Sequence, residues 1–530
     1  MHTLPEYDAI VIGLGPGGAT AARELARRGL RVLALEKQRM PRYKTCGGCL
    51  SGKIRPLLDD DVDAVIEAEI TRVIVTFRGQ NEIVVESDTP IAYMVMRDRF
   101  DHYLAQKAAA AGAVIHEGEP VKAILRHADH FEVVTSQGRY HSHFVVGADG
   151  VNGISRRALG YPPPKHLAVA LEGEARIVPE RFEQMHGTVR LDIGDIPYGY
   201  GWIFPKKDHW SLGVGTVQAL EEHPKQLYRT FITHQYVDEA IEHEDRRGFR
   251  IPLYSASPSP IADDGSLLVG DAASLVDPFL GEGIYYAIRS GGFAAEAIEA
   301  ALRNGRRDLS QYQQTVEREM YPEFEAAARI ARFAYQFPKL GFTLFKLQPE
   351  YARAFVNILQ GATSYREYWQ ECHTAAKLGL FDFLKLLGRP PKSVARSYDR
   401  IADQYDALRF LWQETLAREP TDFFFELIRK RVRRGARLLD AGTGTGEAIP
   451  SLLKMVDPAQ VIGVDVSDRM LEIARHKIHD QRVQFKKADF QFLPYPDNHF
   501  DAVISLWALE TCPNSLHAVQ EFLRVIRDDG

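Results

Sequence analysis

Tyr7-Asp-Ala-Ile-Val-Ile-Gly13-Leu-Gly15-Pro-Gly-Gly18 decides the fold of the first part of this chain. An apolar run ends in a glycine turn, a helical stretch continues to Arg28, and Arg31-Val-Leu-Ala-Leu-Glu36 reads as a second strand. Strand, helix and strand make a βαβ unit. With glycine at 13, 15 and 18, backbone N–H groups and the positive end of the helix can hold a pyrophosphate where larger side chains would collide. Glu36 closes the second strand 23 residues after Gly13, near the spacing of roughly 20 at which an acid accepts ribose hydroxyls. Dinucleotide binding is the expectation.

Working outward, the pattern changes between about residues 165 and 255 to short alternating strands, among them Ala168 to Ile177, Thr188 to Ile193 and Trp210 to Thr216. An antiparallel sheet is predicted there. From Glu282 to about Leu387 the reading is mostly helical, with aromatic stretches at Phe333-Ala-Tyr-Gln-Phe337 and Leu380-Phe-Asp-Phe-Leu384 that suit helical core better than a lipid surface. Gly388-Arg-Pro-Pro391 breaks the helical pattern and sets a domain boundary at about residue 390. A fresh βαβ unit begins near Arg437-Leu-Leu-Asp440.

Composition narrows the function classes. The 530 residues are 45% hydrophobic and 26% charged, with 41 Gly and 28 Pro, which describes a soluble, multidomain, globular enzyme. A net charge of −6 lacks the basic footprint of a nucleic-acid binder. Cys46, Cys49, Cys372 and Cys512 form no regular framework and suit a reducing cytoplasm without structural disulfides. The first apolar run follows Glu6 and Asp8 rather than a basic segment, and no later run reaches about 18 apolar residues, so neither a signal peptide nor a membrane span is expected. Peripheral attachment through amphipathic segments stays open.

Leu267-Leu-Val-Gly270-Asp271 is a strand delivering an aspartate, followed by Ala-Ala-Ser-Leu-Val-Asp-Pro278 and by Gly281-Glu282-Gly283 opening a helix. This resembles the second flavin fingerprint of the glutathione reductase-like superfamily, which includes aromatic hydroxylases, halogenases and geranylgeranyl reductases. The resemblance implies FAD, with Asp271 on its ribityl chain, and a helix from Gly283 whose positive end faces the flavin. Arg97 matches the family's arginine close to the cofactor. Val145-Val-Gly147-Ala-Asp149-Gly150 with Arg156 resembles the third, GADG-type motif, although Gly153 replaces its usual serine. No separate nicotinamide-binding repeat is present in this half, so the implied electron donor is a transiently bound NADPH or a protein such as ferredoxin.

Pro197-Tyr198-Gly-Tyr200-Gly-Trp202-Ile-Phe204-Pro205-Lys206 places four aromatic residues at alternate positions. In a strand they would share one face as an aromatic wall able to line an apolar substrate cavity. Tyr200 to Pro205 resembles the YxWxFP motif of geranylgeranyl reductases, and Lys44-Thr-Cys46-Gly47-Gly48-Cys49 resembles their CGG loop. The two cysteines also permit a buried thiol pair, a redox pair or half a zinc site, but no second CxxC supports a metal. The implied reaction saturates trisubstituted C=C bonds in a prenyl chain by protonation and hydride transfer from reduced flavin. It requires a dry pocket. Cys46, Tyr200 and Trp202 are the catalytic candidates, and Gly47, Gly48, Tyr198, Phe204 and Pro205 the substrate-binding ones.

Leu438-Leu-Asp440-Ala-Gly442-Thr-Gly444-Thr-Gly446 and Val461-Ile-Gly-Val-Asp465 resemble motifs I and II of class I methyltransferases that use S-adenosylmethionine. Asp489 matches their adenine-contacting acid, and Leu493-Pro-Tyr-Pro-Asp497-Asn-His-Phe-Asp501 the LPFPDxxFD segment of the ubiquinone and menaquinone methyltransferases. Tyr398 to Asp406 fits the lid that opens such domains. The chain stops after Arg524-Val-Ile-Arg-Asp-Asp-Gly530, where the family continues into strand five, so an incomplete methyltransferase is expected.

The fold expected from these readings is α/β: a glutathione reductase-like, FAD-binding Rossmann-like domain in segments of about 1–165 and 256–330. It carries an inserted antiparallel substrate sheet at about 166–255 and a helical region at about 331–390, followed by the methyltransferase-like domain at 391–530. A prenyl reductase is the first reading. A flavin hydroxylase or halogenase is the second, and a lipid carrier with a vestigial flavin fold the non-enzyme alternative.

Overall fold

The computed structural model describes residues 6–217, 224–347, 349–370, 398–399, 402, 405, 418–509 and 512–527. The chain divides into two compact units, Met1–Trp369 and Gln370–Gly530. The boundary expected near residue 390, the aromatic stretch 380–384 and Cys372 lie outside the described residues.

In the first unit, Tyr7–Ile12 is the centre of a parallel layer. It pairs with Val32–Glu36 on one side and Arg139–Gly147 on the other, and Ser266–Leu268 and Val114–Glu117 extend the layer outward. Buried on both faces, Tyr7–Ile12 and Val32–Glu36 are nearly continuous apolar runs, as parallel strands covered by helices require. The covering helices are Pro16–Arg27 and Ile284–Arg303. They cross closely because both present glycine: a Cβ on Gly291 would stand 2.4 Å from the Gly17 carbonyl oxygen.

The second sheet runs Ile241–Leu253, His166–Ile177, Trp210–Thr216, Gly199–Pro205, Thr188–Ile193, Arg72–Phe77 and Gln80–Glu86. Its middle is antiparallel, as expected. Its last two strands come from the segment assigned to the flavin domain, and Arg72–Phe77 joins in parallel to Thr188–Ile193. Nothing local in residues 72–86 distinguishes these strands from a flavin-domain hairpin. Phe342, Ala352 and Val356, from the helices Pro338–Leu347 and Pro349–Gln360, pack in one apolar cluster with Trp202 and Phe204. That part of the helical region is therefore core.

The second unit contains a parallel sheet in the order Val483–Lys487, Gln460–Asp465, Arg437–Ala441, Ala502–Ile504 among the described residues. The helices Ile449–Val456 and Asp468–Lys477 contribute buried apolar residues to it. No described helix is long and apolar enough to cross a membrane.

Candidate active site

One cavity of about 490 Å³ in the first unit collects most of the sequence candidates. Gly13, Gly15, Glu36, Cys46, Gly47, Gly48, Arg97, Asp149, Tyr200, Trp202, Phe204, Gly270, Asp271, Pro278, Gly281 and Gly283 all line it. Gly18 does not: a Cβ there would lie 1.9 Å from the Gly13 carbonyl oxygen, so this glycine serves the contact between helix and strand. Gly13 itself, at φ +97°, sits within 2.5 Å of Ala148 by the same construction of a Cβ. Gly15 is the opposite case, with nothing within 4 Å of its missing side chain, so the space over the turn is open to a ligand.

The acids around the glycine turn are held by backbone and arginine donors. Buried Glu36 accepts from the N–H of Leu14 at 3.0 Å and of Gln38 at 3.2 Å. Asp149 accepts from the N–H of Ile154 and Ser155 through Oδ2, while its buried Oδ1 has no partner. Burial raises its pKa against those two donors. Gly153 is required beside it, since a Cβ would fall 2.0 Å from the carboxyl carbon. Arg156 ties the third motif to the second, donating to the Ala272 carbonyl at 3.0 Å and to Ser274 Oγ at 2.8 Å.

Arg97 forks onto Asp101, Nε at 2.8 Å and Nη2 at 2.9 Å, and Arg42 donates to the same carboxylate at 2.9 Å. Burial disfavours the charge on Arg97, but Asp101 and Cys46 beside it outweigh burial and raise its pKa. Asp101 and Arg42 had no assigned role in the sequence. An acid one helical turn after Arg97 was the available signal, whereas Arg42 comes from a loop without periodicity.

The aromatic strand delivers three of its four rings. Tyr200 and Trp202 have centroids 5.9 Å apart, and Trp202 and Phe204 6.0 Å. Tyr198 is a correction: it precedes the strand in a turn at φ +53°, is 38% exposed and does not reach the cavity. Alternation held only where strand pairing imposes it. Pro205 is a second correction, buried at the strand's end opposite Trp210 and absent from the cavity lining.

The CGG loop lies against this wall. A Cβ on Gly47 would stand 2.9 Å from the Phe204 ring and 3.1 Å from Trp202 Nε1. Gly48 adopts φ +62°, with the Val95 carbonyl oxygen 2.0 Å from its missing Cβ. Buried Lys206 fixes the loop by donating to the carbonyls of Gly47 and Val95. Cys46 Sγ accepts from the Gly48 N–H at 3.5 Å. Cys49 is half-buried, and loss of solvent around it pushes its thiol up to about 12. Cys46, Cys49 and Cys512 are free thiols, and no described residues form a metal-binding cluster. Tyr200 donates its hydroxyl to the Leu280 carbonyl, which joins the aromatic wall to the loop before the long helix.

An open glycine turn, an unpartnered buried carboxylate oxygen on Asp149 and acids spaced along one elongated cavity fit an extended dinucleotide such as FAD. Residues 6–320 match the FAD binding domain family. The geranylgeranyl diphosphate reductase of Rhodobacter capsulatus is 32% identical over 318 residues, covering 57% of this chain and 77% of that protein. The chain belongs to the geranylgeranyl reductase family. The digeranylgeranylglycerophospholipid reductase of Thermoplasma acidophilum is 29% identical, covering 56% of this chain and 79% of that protein. Among solved structures, a geranylgeranyl bacteriochlorophyll reductase-like protein from Thermoplasma acidophilum superposes with a TM-score of 0.55 at 24% identity, covering 61% of this chain and 86% of that one. A flavin-dependent brominase shares the fold at a TM-score of 0.56 and 22% identity, covering 70% and 99%. The chain is an FAD-dependent oxidoreductase of this family.

Residues 439–530 match a methyltransferase domain family. In that unit Asp465 accepts from the N–H of Gly444 and of Ser467, both at 2.9 Å, and Thr443 donates to buried Asp440 at 2.6 Å. Burial raises the pKa of Asp465 against its backbone donors. Gly442 and Gly444 both take positive φ, and the Phe490 and Tyr405 rings approach their open sides. Asp489 accepts from the Gln491 N–H at 2.9 Å. The glycine turn and acid are thus assembled as the motif resemblance implies.

Proposed function

We propose that this chain saturates C=C bonds in geranylgeranyl or related prenyl chains of lipids, chlorophyll precursors or quinones. The observation that carries the reading is the shared cavity. Tyr200, Trp202 and Phe204 line it together with the CGG loop and the dinucleotide-binding glycines. FAD, when bound and reduced, supplies hydride. Glu36, Asp149, Asp271 and the turn at Gly15 hold it; Gly47 and Gly48 let the loop lie close to the wall. Ala168, Ala170, Val189, Leu191, Ile251 and Leu253 add apolar lining from the same sheet, which helps exclude water from a developing cation, and the Trp202 ring in that lining could stabilise its charge.

The electron donor in this reading is NADPH or a ferredoxin. A prenyl lipid would bring the protein from the cytoplasm to a membrane surface as a peripheral visitor. The C-terminal unit would bind S-adenosylmethionine through Asp440, Gly442, Gly444, Asp465 and Asp489.

The test is anaerobic. FAD-loaded protein is reduced with dithionite, mixed with geranylgeranyl diphosphate or a geranylgeranylated lipid, and followed by flavin absorbance and product mass. A gain of two hydrogens per bond with flavin reoxidation is expected. Flavin that stays reduced with every prenyl compound but reoxidises with oxygen while hydroxylating or halogenating an aromatic compound would overturn the proposal.

A further inference from the structure

Glu172 stands where the apolar sheet face should not carry a charge. It lies mid-strand in His166–Ile177, on the same face as Ala168 and Ala170, all three lining the cavity. Among the residues that the second sheet contributes to the lining, it is the sole carboxylic acid. It is 2% exposed.

Its hydrogen bonds have a fixed direction. The Trp202 indole N–H, which can only donate, points to Ser211 Oγ at 3.3 Å. Ser211 spends its single proton on Glu172 Oε1 at 2.6 Å. With Oε1 accepting the Ser211 proton, for which it is the acceptor among the described residues, a proton on the carboxyl belongs on Oε2. That atom is buried and has no hydrogen-bond partner among the described residues. The Cys46 amide comes near enough to favour the anion without reaching ordinary hydrogen-bond geometry. The remaining charged and titratable groups around the carboxyl are Lys206, Glu174, Tyr43 and Tyr228. Burial prevails over Ser211 and Lys206 and raises the Glu172 pKa, which shifts the carboxyl towards its neutral form.

The other candidates are less suited to give up a proton. The Tyr200 hydroxyl is committed to the Leu280 carbonyl. Cys46 Sγ accepts a hydrogen bond from the Gly48 N–H and lies beside the Arg97 guanidinium, which has no lone pair to receive a proton. Glu282, in the loop before the long helix, is engaged by Lys53 at 2.7 Å and by Ser51.

We propose that Glu172 is the acid that protonates the prenyl double bond, with Ser211 and Trp202 as positioning residues that place its proton on Oε2. This rests on the prenyl reductase reading. The Oε2–H bond breaks as a C–H bond forms at one alkene carbon. Hydride from the reduced cofactor adds to the other carbon, so two hydrogens enter one C=C bond. Glu172, left as carboxylate, regains its proton from water, and a two-electron donor, dithionite in the assay, restores the reductant.

The experiment compares wild type with Glu172→Gln, which keeps the acceptor for Ser211 but has no acidic proton. Both are loaded with FAD, reduced and mixed with geranylgeranyl diphosphate in single turnover across pH. FAD content and substrate affinity should match, while the variant is slower by about 100-fold or more. In wild type the rate should fall as pH rises through the raised pKa, and the variant should lack that limb. Independently of turnover, the infrared spectrum of the resting protein should show a protonated-carboxyl band that Glu172→Gln lacks. Ser211→Ala leaves the acid in place and should slow the step by about tenfold at unchanged FAD content, the worth of one buried hydrogen bond. Wild-type turnover with variants equally fast, or a resting protein without the carboxyl band, overturns the role of Glu172 alone. Wild type that reduces no prenyl substrate overturns the parent reading and this proposal with it.

Discussion

Replacing Asp101 by asparagine should destabilise the first unit more than any other single-atom exchange at the flavin cavity. The carboxylate is fully buried and receives three N–H bonds of 2.8–2.9 Å, two from Arg97 and one from Arg42. Both guanidiniums line the cavity. Asparagine keeps one acceptor but turns an amide N–H₂ toward a guanidinium and leaves two cations with only Glu36, 3.6 Å from Arg42, to balance them. Removing one partner of a buried ion pair costs about 3–5 kcal/mol, against about 5–15 kcal/mol for the whole stability of a domain. At about 1.4 kcal/mol per factor of ten, that is a loss of roughly 10²–10⁴ in the ratio of folded to unfolded protein. The assay is urea unfolding of the FAD-loaded protein followed by flavin emission, which reports the first unit alone, together with FAD affinity. A loss below about 1 kcal/mol with unchanged affinity would equate the cluster with a solvated surface pair and refute the reasoning.

Three further expectations follow from individual residues. Gly15→Ala should leave unfolding within about 1 kcal/mol of wild type but weaken FAD binding at least tenfold, because the added methyl enters only open cavity; Gly18→Ala should instead lower stability by about 1–3 kcal/mol, since its methyl meets the Gly13 carbonyl. Calorimetry and flavin titration of the pair separate the two roles. Burial raises the Asp277 pKa from 3.8 to about 6, so its favourable contribution is complete below pH 3.8 and is lost as pH rises through about 6. Asp277→Asn should therefore gain about 3 kcal/mol on wild type between about pH 4 and pH 8 in urea midpoints, and parallel curves would show that Asp277 does not titrate so. In the second unit, Asp465→Ala should abolish binding of S-adenosylmethionine in calorimetry and cost about 1–3 kcal/mol through the orphaned N–H groups of Gly444 and Ser467; undiminished binding would remove that acid from the site.

Much of the fold was legible because its signals are local. The run from Tyr7 to Gly18 joins a buried strand to a helix by a turn that only glycine fits, and neighbouring residues suffice to show this. Glu36 was found by its spacing from such a turn and Asp271 through the resemblance to the second flavin fingerprint, and both reach the cavity. Period-two patterning placed Tyr200, Trp202 and Phe204 on one wall, and failed at Tyr198, where the chain turns before strand pairing begins. Glu172 was legible in principle, as a charge that continues the strand face of Ala168 and Ala170, but a charge in a strand usually marks the solvent face. Its burial depends on which side of the sheet the flavin domain covers.

By itself, then, the sequence determined two nucleotide-type βαβ units, their order along the chain and the motifs of the reductase family, because those properties reside in stretches short enough to carry their own geometry. Tertiary structure alone decided that residues 72–86 complete the substrate sheet, that Arg42 and Arg97 share Asp101, and that Lys206 clamps the loop at Gly47. It also decided that the one acid that the second sheet brings to the cavity meets Ser211 and, through it, Trp202. Each of these joins residues far apart in sequence, and the burial that sets their hydrogen bonds and pKa values exists only once the layers have packed.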